Sequence, residues 1–132
     1  MITKERTPGM QLLHAINRER MIAIERLLLL PELSKLSEIF VKAAERAGNG
    51  QIVACILDHI LKNGLDVDHG YPTNIHWALA KRFEIAAELL ACIITAEDIV
   101  ATDENGKTAQ DIAEELGYNY ISDIIFMTNE SK

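Results

Sequence analysis

The chain has 132 residues, of which 48% are hydrophobic and 5% aromatic, with a formal net charge of −7. This length fits one domain over 1–132, and the composition favours a core of aliphatic side chains between closely packed helices. Residues 67–132 carry four basic and twelve acidic side chains, which would repel a phosphate backbone. We therefore expect a neutral or basic protein partner and no nucleic acid.

The predicted elements are short helices in pairs, because apolar residues recur three and four positions apart and no run alternates with period two. The apolar stretches, in chain order, are 12–16, 22–30, 40–47 and 52–61. Gly48 allows the positive φ that ends one helix before the next begins. Two polar connectors, 68–73 and 103–108, superpose with Thr73 and Thr108 lying 35 residues apart. This spacing predicts an internal repeat.

Residues 73–78, T-N-I-H-W-A, resemble the T-P-L-H-x-A signature that opens the inner helix of an ankyrin repeat. The next copy, residues 108–113, reads T-A-Q-D-I-A, and residues 63–68, N-G-L-D-V-D, resemble the G-A-D-V-N loop of that family. The resemblance implies an all-α, ankyrin-like solenoid of about four helix-turn-helix repeats. The predicted units are 8–33, 36–67, 68–102 and 103–128.

The resemblance also implies roles for residues of the scaffold. Thr73 and Thr108 are expected to cap the helices that follow them, and Ala78 and Ala113 to let adjacent helices approach. His76 is expected to tie its helix to a neighbouring loop by a hydrogen bond.

Ankyrin-like stacks contact their partners through connector tips and the exposed side of the inner helices. Transferred to this sequence, the predicted partner-binding residues are Glu45, Arg46, His69, Tyr71, Trp77, Lys81, Arg82, Glu104 and Asn105. His69 and Tyr71 fall at one tip and Glu104 and Asn105 at the next, and the others fall on helices. We expect Trp77 to be exposed, because tryptophan is enriched at interface hot spots, although burial between repeats is the alternative.

The sequence predicts no enzyme, cofactor or metal site. Residues 105–108 end in G-K-T, but Ala101 stands where a phosphate-binding loop needs glycine. Four residues are possible zinc ligands by type: His59, Asp66, Asp68 and His69. Their spacing fits no metal motif, and we interpret them as solvated loop residues.

Cys55 and Cys92 lie 37 residues apart in apolar helical stretches, and we predict buried free thiols. No secretory signal opens the chain. The longest apolar stretch, 21–30, is too short for a bilayer. We therefore expect no membrane partner and a cytoplasmic location, or a host cytosol if the protein is an effector.

The leading functional prediction is a non-enzymatic protein-protein interaction module. The alternative is a regulatory or assembly subunit that self-associates through its apolar N-terminal unit, possibly as a bacterial effector acting on a host protein. Its basis is the run Leu27 to Leu30, which is more apolar than a terminal helix in water should be. A monomer or weak homodimer is expected. A small helical hydrolase or metal protein is the third hypothesis.

Overall fold

The computed structural model describes residues 7–130, which form nine α-helices and one turn of 3₁₀-helix at Pro31–Leu33. The helices are α1 (Pro8–Asn17), α2 (Met21–Leu27), α3 (Glu38–Ala47), α4 (Gly50–Asn63), α5 (Asn74–Ala80), α6 (Glu84–Cys92), α7 (Ala96–Val100), α8 (Ala109–Glu115) and α9 (Asn119–Glu130). These residues contain no β-strand, only an isolated bridge between Leu36 and Leu65. The predicted all-α class is confirmed.

The chain is divided into two compact units. Unit 1 ends at Asp68, and unit 2 begins at His69. In unit 1, α1 packs on α2 and α3, and α3 packs on α4. In unit 2, α5 packs on α6 and α8, while α9 packs on α6 and α8, and the short α7 touches α8 and α9. Each unit therefore contains two helical hairpins in contact. The division falls next to the predicted border between the second and third repeats, and the single domain remains a prediction.

All four hairpins turn through one residue with a left-handed backbone. These residues are Glu19 (φ 54°), Gly48 (φ 67°), Arg82 (φ 62°) and Gly117 (φ 81°). Each lies two positions before the first residue of the next helix. The predicted left-handed turn at Gly48 is confirmed, whereas Glu19 and Arg82 adopt it without the freedom of glycine. The hairpins thus share one turn geometry.

A buried alanine lies four residues before each left-handed position. The four are Ala15, Ala44, Ala78 and Ala113, exposed by 4%, 0%, 0% and 0%. In three of the hairpins, the backbone N–H that follows the left-handed residue donates a hydrogen bond to the carbonyl of the alanine five residues earlier. The donors are Arg20, Phe83 and Tyr118, and the N···O distances are 2.8–2.9 Å. A methyl side chain leaves room for the next helix at this closely packed point. The expected role of Ala78 and Ala113 fits this position.

Threonine hydroxyls cap the first turn of four helices. The hydroxyls accept hydrogen bonds from backbone N–H groups at the starts of α1, α5, α7 and α8, and the residues are Thr7, Thr73, Thr95 and Thr108. At α8 the bond is reciprocal, because the Asp111 carboxylate accepts the N–H of Thr108 at 3.1 Å. The predicted capping by Thr73 and Thr108 is confirmed.

Side-chain hydrogen bonds join neighbouring hairpins within unit 1. The Asn49 amide donates to the Glu19 carboxylate at 2.9 Å, which links the two turns. His59 Nε2 lies 2.7 Å from the carbonyl of Leu33, so this nitrogen is the donor and α4 is tied to the 3₁₀ turn. His59 therefore has a structural role on a helix of unit 1, and its interpretation as a solvated loop residue is wrong.

Both cysteines are free, as predicted, but their burial differs. Cys55 on α4 is half-buried, and burial raises the pKa of its thiol. Cys92 is exposed, so the prediction of a buried thiol there is wrong. It is the last residue of α6, where Leu90 and Ala91 form the buried side. No helix within residues 7–130 is long and apolar enough to span a bilayer.

The left-handed turns predict how glycine substitutions will affect stability. Gly117→Ala should lower the free energy of unfolding by about 1 kcal/mol, because a Cβ disfavours positive φ. Steric contact does not contribute, since that Cβ would meet no atom within 4 Å. Arg82→Gly should have the opposite sign. Urea denaturation measures both changes.

Gly50→Ala is the matched control. Its Cβ also meets open space, but Gly50 lies in α4 without a positive φ, so stability should be kept or improved. Equal losses in Gly50→Ala and Gly117→Ala would contradict the assignment of the cost to the left-handed backbone.

Candidate functional site

His76 connects the two hairpins of unit 2. It is 1% exposed, and its backbone N–H donates to the Thr73 hydroxyl at 3.1 Å. The ring Nε2 lies 3.1 Å from the carbonyl of Lys107, which can only accept, so Nε2 carries the proton. Nδ1 then accepts from the Thr73 hydroxyl at 2.6 Å. The expected tie between His76 and a neighbouring loop is confirmed.

The loop that His76 contacts is closed by Asp103. The Asp103 carboxylate accepts the backbone N–H groups of Asn105 at 2.9 Å and Lys107 at 3.0 Å. The bond from Lys107 is the main cause that lowers the pKa of Asp103, and the bond from Asn105 acts in the same direction. Glu104 and Asn105, at the end of this turn, are exposed. We call these two residues the second tip.

The first tip consists of His69 and Tyr71. His69 Nδ1 accepts the N–H of Tyr71 at 3.0 Å, which leaves Nε2 to donate to the Asn74 side-chain oxygen at 2.9 Å. The rings of His69 and Tyr71 lie 5.9 Å apart between centroids. Tyr71 remains 37% exposed, whereas His69 is half-buried. Tyr71 is thus the accessible aromatic group on a hydrogen-bonded loop.

Trp77 lies beneath the first tip. It is 1% exposed, so the expectation of an exposed hot spot is wrong. His69 stacks on its ring with centroids 5.6 Å apart, and Phe83 meets it edge-on at 5.5 Å. The loops on either side of α5 supply both rings and cover the indole. Trp77 therefore supports the position of His69 and does not offer its own surface to a partner.

The remaining predicted contact residues occupy two other places. Lys81 and Arg82 are exposed but follow α5, in the turn to α6, so their predicted placement on a helix is corrected. The seven residues of α5 separate them from the first tip by roughly 10 Å. Glu45, half-buried, and Arg46, exposed, lie on α3 in unit 1. They form a separate patch.

Hydrogen bonds attach the loops of both tips to α5 within unit 2. Asn74 bonds to the first tip, and His76, two residues later on α5, bonds to the loop of the second tip. The resulting candidate site, the connector-tip patch, consists of His69, Tyr71, Glu104 and Asn105.

Unit 1 also contains an open groove between α1 and α2 that was not predicted. Its lining includes Arg20, Ile22 and Arg26. The available signal was the apolar content of α2 and the residues after it, of which Leu29 is 83% exposed. The apolar content indicated that the α1–α2 hairpin exposes apolar surface, but it did not indicate which face of the hairpin contains the groove.

Residues 7–130 include no group of three or more His, Cys, Asp or Glu side chains placed to bind a metal ion. Comparisons of the chain with protein-family models, with curated proteins and with solved structures find no match. A functional proposal for this protein therefore rests on the contacts within the chain.

The contacts of His76 predict a loss of stability on substitution. His76→Phe keeps a ring in the buried site but leaves the Lys107 carbonyl and the Thr73 hydroxyl without these partners, which should cost about 1–3 kcal/mol. Chemical denaturation gives the value. Asn105→Ala, at the exposed second tip, serves as the control and should change stability far less. A wild-type denaturation midpoint for His76→Phe would contradict the proposed tie.

Asp103 predicts a pH dependence. Its folded pKa lies below the ordinary 3.8, so its stabilising effect is complete above that value and is lost as pH falls through the folded pKa. Asp103→Ala should therefore be less stable than wild type at neutral pH, and the two should converge in acid. Thermal melts between pH 2 and 7 test this. Glu104→Ala should follow wild type throughout, and a difference for Asp103→Ala that persists unchanged into acid would contradict the account.

Proposed function

We propose that this chain is a non-enzymatic protein-interaction module, built of ankyrin-like helical repeats, that binds a protein partner through its connector-tip patch. The observation that carries the proposal is the bond from buried His76 to the Lys107 carbonyl. It couples the packed helices of unit 2 to a loop whose polar end is exposed.

The repeat interpretation is supported by features that recur in the hairpins. The left-handed residue and the buried alanine occur in the same relation in all four. From Arg82 to Gly117, and from Thr73 to Thr108, the offset is 35 residues. Helix capping by threonine and a histidine bond to the next loop are the features that the resemblance implies.

Binding is favoured over catalysis because three of the four histidine rings, those of His59, His69 and His76, are used in structural bonds. His76 is shared between Thr73 and Lys107, and His69 between Tyr71 and Asn74. His59 donates to a backbone carbonyl. A catalytic base would need a ring nitrogen facing a substrate.

The connector-tip patch suits recognition of a protein surface. Tyr71 supplies aromatic contact area, Glu104 a negative charge and Asn105 an amide that donates and accepts. Because hydrogen bonds already order both loops, the loops would lose less conformational entropy when a partner binds. The negative charge of this half of the chain favours a partner with a basic contact surface.

Affinity capture with a paired control tests the proposal. Tyr71→Ser with Glu104→Lys should reduce recovery of the bound protein at least about tenfold, because both tips lose a contact. Ile93→Ser with Glu88→Lys makes the same two kinds of change at exposed positions outside the patch and should leave recovery unchanged. Quantitative mass spectrometry measures recovery, with circular dichroism confirming that both variants are folded.

Equal recovery by the two variants would contradict a role for the connector-tip patch. Failure of the wild-type chain to retain any protein above an empty support would contradict the binding function itself.

A further inference from the structure

An open groove of unit 1 lies between α1 and α2. Its volume is about 820 Å³, and its lining includes Ala15, Arg20, Met21, Ile22, Arg26 and Leu27. Ile22 is 67% exposed, so an apolar side chain is open to solvent within this hairpin. We call this surface the α1–α2 groove.

The charged residues that line the α1–α2 groove have one sign. Arg20 and Arg26 contribute guanidinium groups, and no aspartate or glutamate is among the lining residues. Both arginines are exposed, and neither forms an ion pair within residues 7–130. A ligand that combines apolar side chains with carboxylates would therefore match the groove.

Helix α9 presents that combination on its exposed side. Phe126 is 52% exposed and Met127 65% exposed, and Asp123 and Glu130 lie on the same side at helical spacing. Residues 108–130 contain five acidic side chains and no lysine or arginine. The exposed face of α9 is thus apolar and acidic where the α1–α2 groove is apolar and basic.

The 35-residue repeat explains why Phe126 is open. Its equivalent in the preceding hairpin is Ala91, which is 0% exposed and whose carbonyl lies 3.5 Å from the Thr128 hydroxyl of α9. The position of Ala91 is therefore covered by the next hairpin. Phe126 occupies the same position in the last described hairpin, and no described residue covers it to that extent. Phe126 thus lies on a helix face of α9 whose equivalent on α6 is packed against another helix.

We propose that the α1–α2 groove of one molecule binds the exposed face of α9 of a second copy of this chain. Phe126 would lie against Ile22, and Arg20 and Arg26 would face the carboxylates of Asp123 and Glu130. The mode is a helix face packed into an apolar groove with charged groups at its edge. This proposal uses different residues from the connector-tip patch and does not depend on it.

The contact is heterologous, since the two surfaces are different parts of the chain, so association continues beyond a dimer unless a ring closes. Two variants, each lacking one of the two surfaces, test whether the contact is heterologous. Ile22→Asp disables the groove and keeps the α9 face, whereas Phe126→Asp disables the α9 face and keeps the groove. Both residues are exposed, so both variants should remain folded.

Sedimentation velocity over roughly 10 µM to 1 mM measures the outcome, a range suited to weak association. Wild type should increase in mass with concentration, while each variant alone should stay at the chain mass of 14.7 kDa. An equimolar mixture of the two should form a dimer and nothing larger, because only one intact groove and one intact α9 face remain per pair. Leu29→Asp, an exposed leucine outside the groove, is the control and should associate like wild type.

Three results would overturn the proposal. A wild-type mass of 14.7 kDa at every concentration would show that no second copy occupies the groove. Association of Phe126→Asp by itself would indicate a symmetric contact between grooves. Failure of the two variants to form a dimer on mixing would show that the two surfaces do not bind each other.

Discussion

A helical hairpin cannot cover the apolar side that its own two helices leave open, and within each unit of this chain a second hairpin packs against it. In unit 2, α8 and α9 cover α5 and α6, and the buried methyl groups of Ala78 and Ala113 lie on α5 and α8, 35 residues apart. His76 adds a directional bond to this contact by donating to the Lys107 carbonyl. Packing between hairpins therefore determines where the polar connector lies.

The positions of the exposed connector loops of unit 2 depend on this packing and on hydrogen bonds within the loops. Asp103 closes one loop through two backbone N–H groups, and His69 orders the other while its ring stacks on buried Trp77. Tyr71 and Glu104 are consequently presented on loops whose hydrogen bonds are already formed. As the proposed binding surface, such ordered loops would lose little conformational freedom on association.

The sequence was informative where a local rule determines the structure. Apolar periodicity predicted the paired helices, and Thr73 and Thr108 predicted caps. The bond from His76 to a loop was expected only from the resemblance of residues 73–78 to the ankyrin signature. The burial of Trp77 was not predicted, because His69 and Phe83, which cover it, come from loops on either side of α5. Cys92 differs from its buried neighbour Ala91 by a single helical step, which periodicity in a largely apolar helix does not resolve. The α1–α2 groove depends on the relative placement of two helices, and no motif encodes it.

The tautomer of His76 tests the central claim most directly, because the bond between hairpins requires a proton on Nε2. Long-range proton–nitrogen correlation spectra of the folded chain report which ring nitrogen is protonated. We expect a single tautomer with the proton on Nε2, protected from exchange with water. A ring that interconverts between tautomers in contact with solvent would contradict the coupling of the two hairpins, and with it the support of the connector-tip patch.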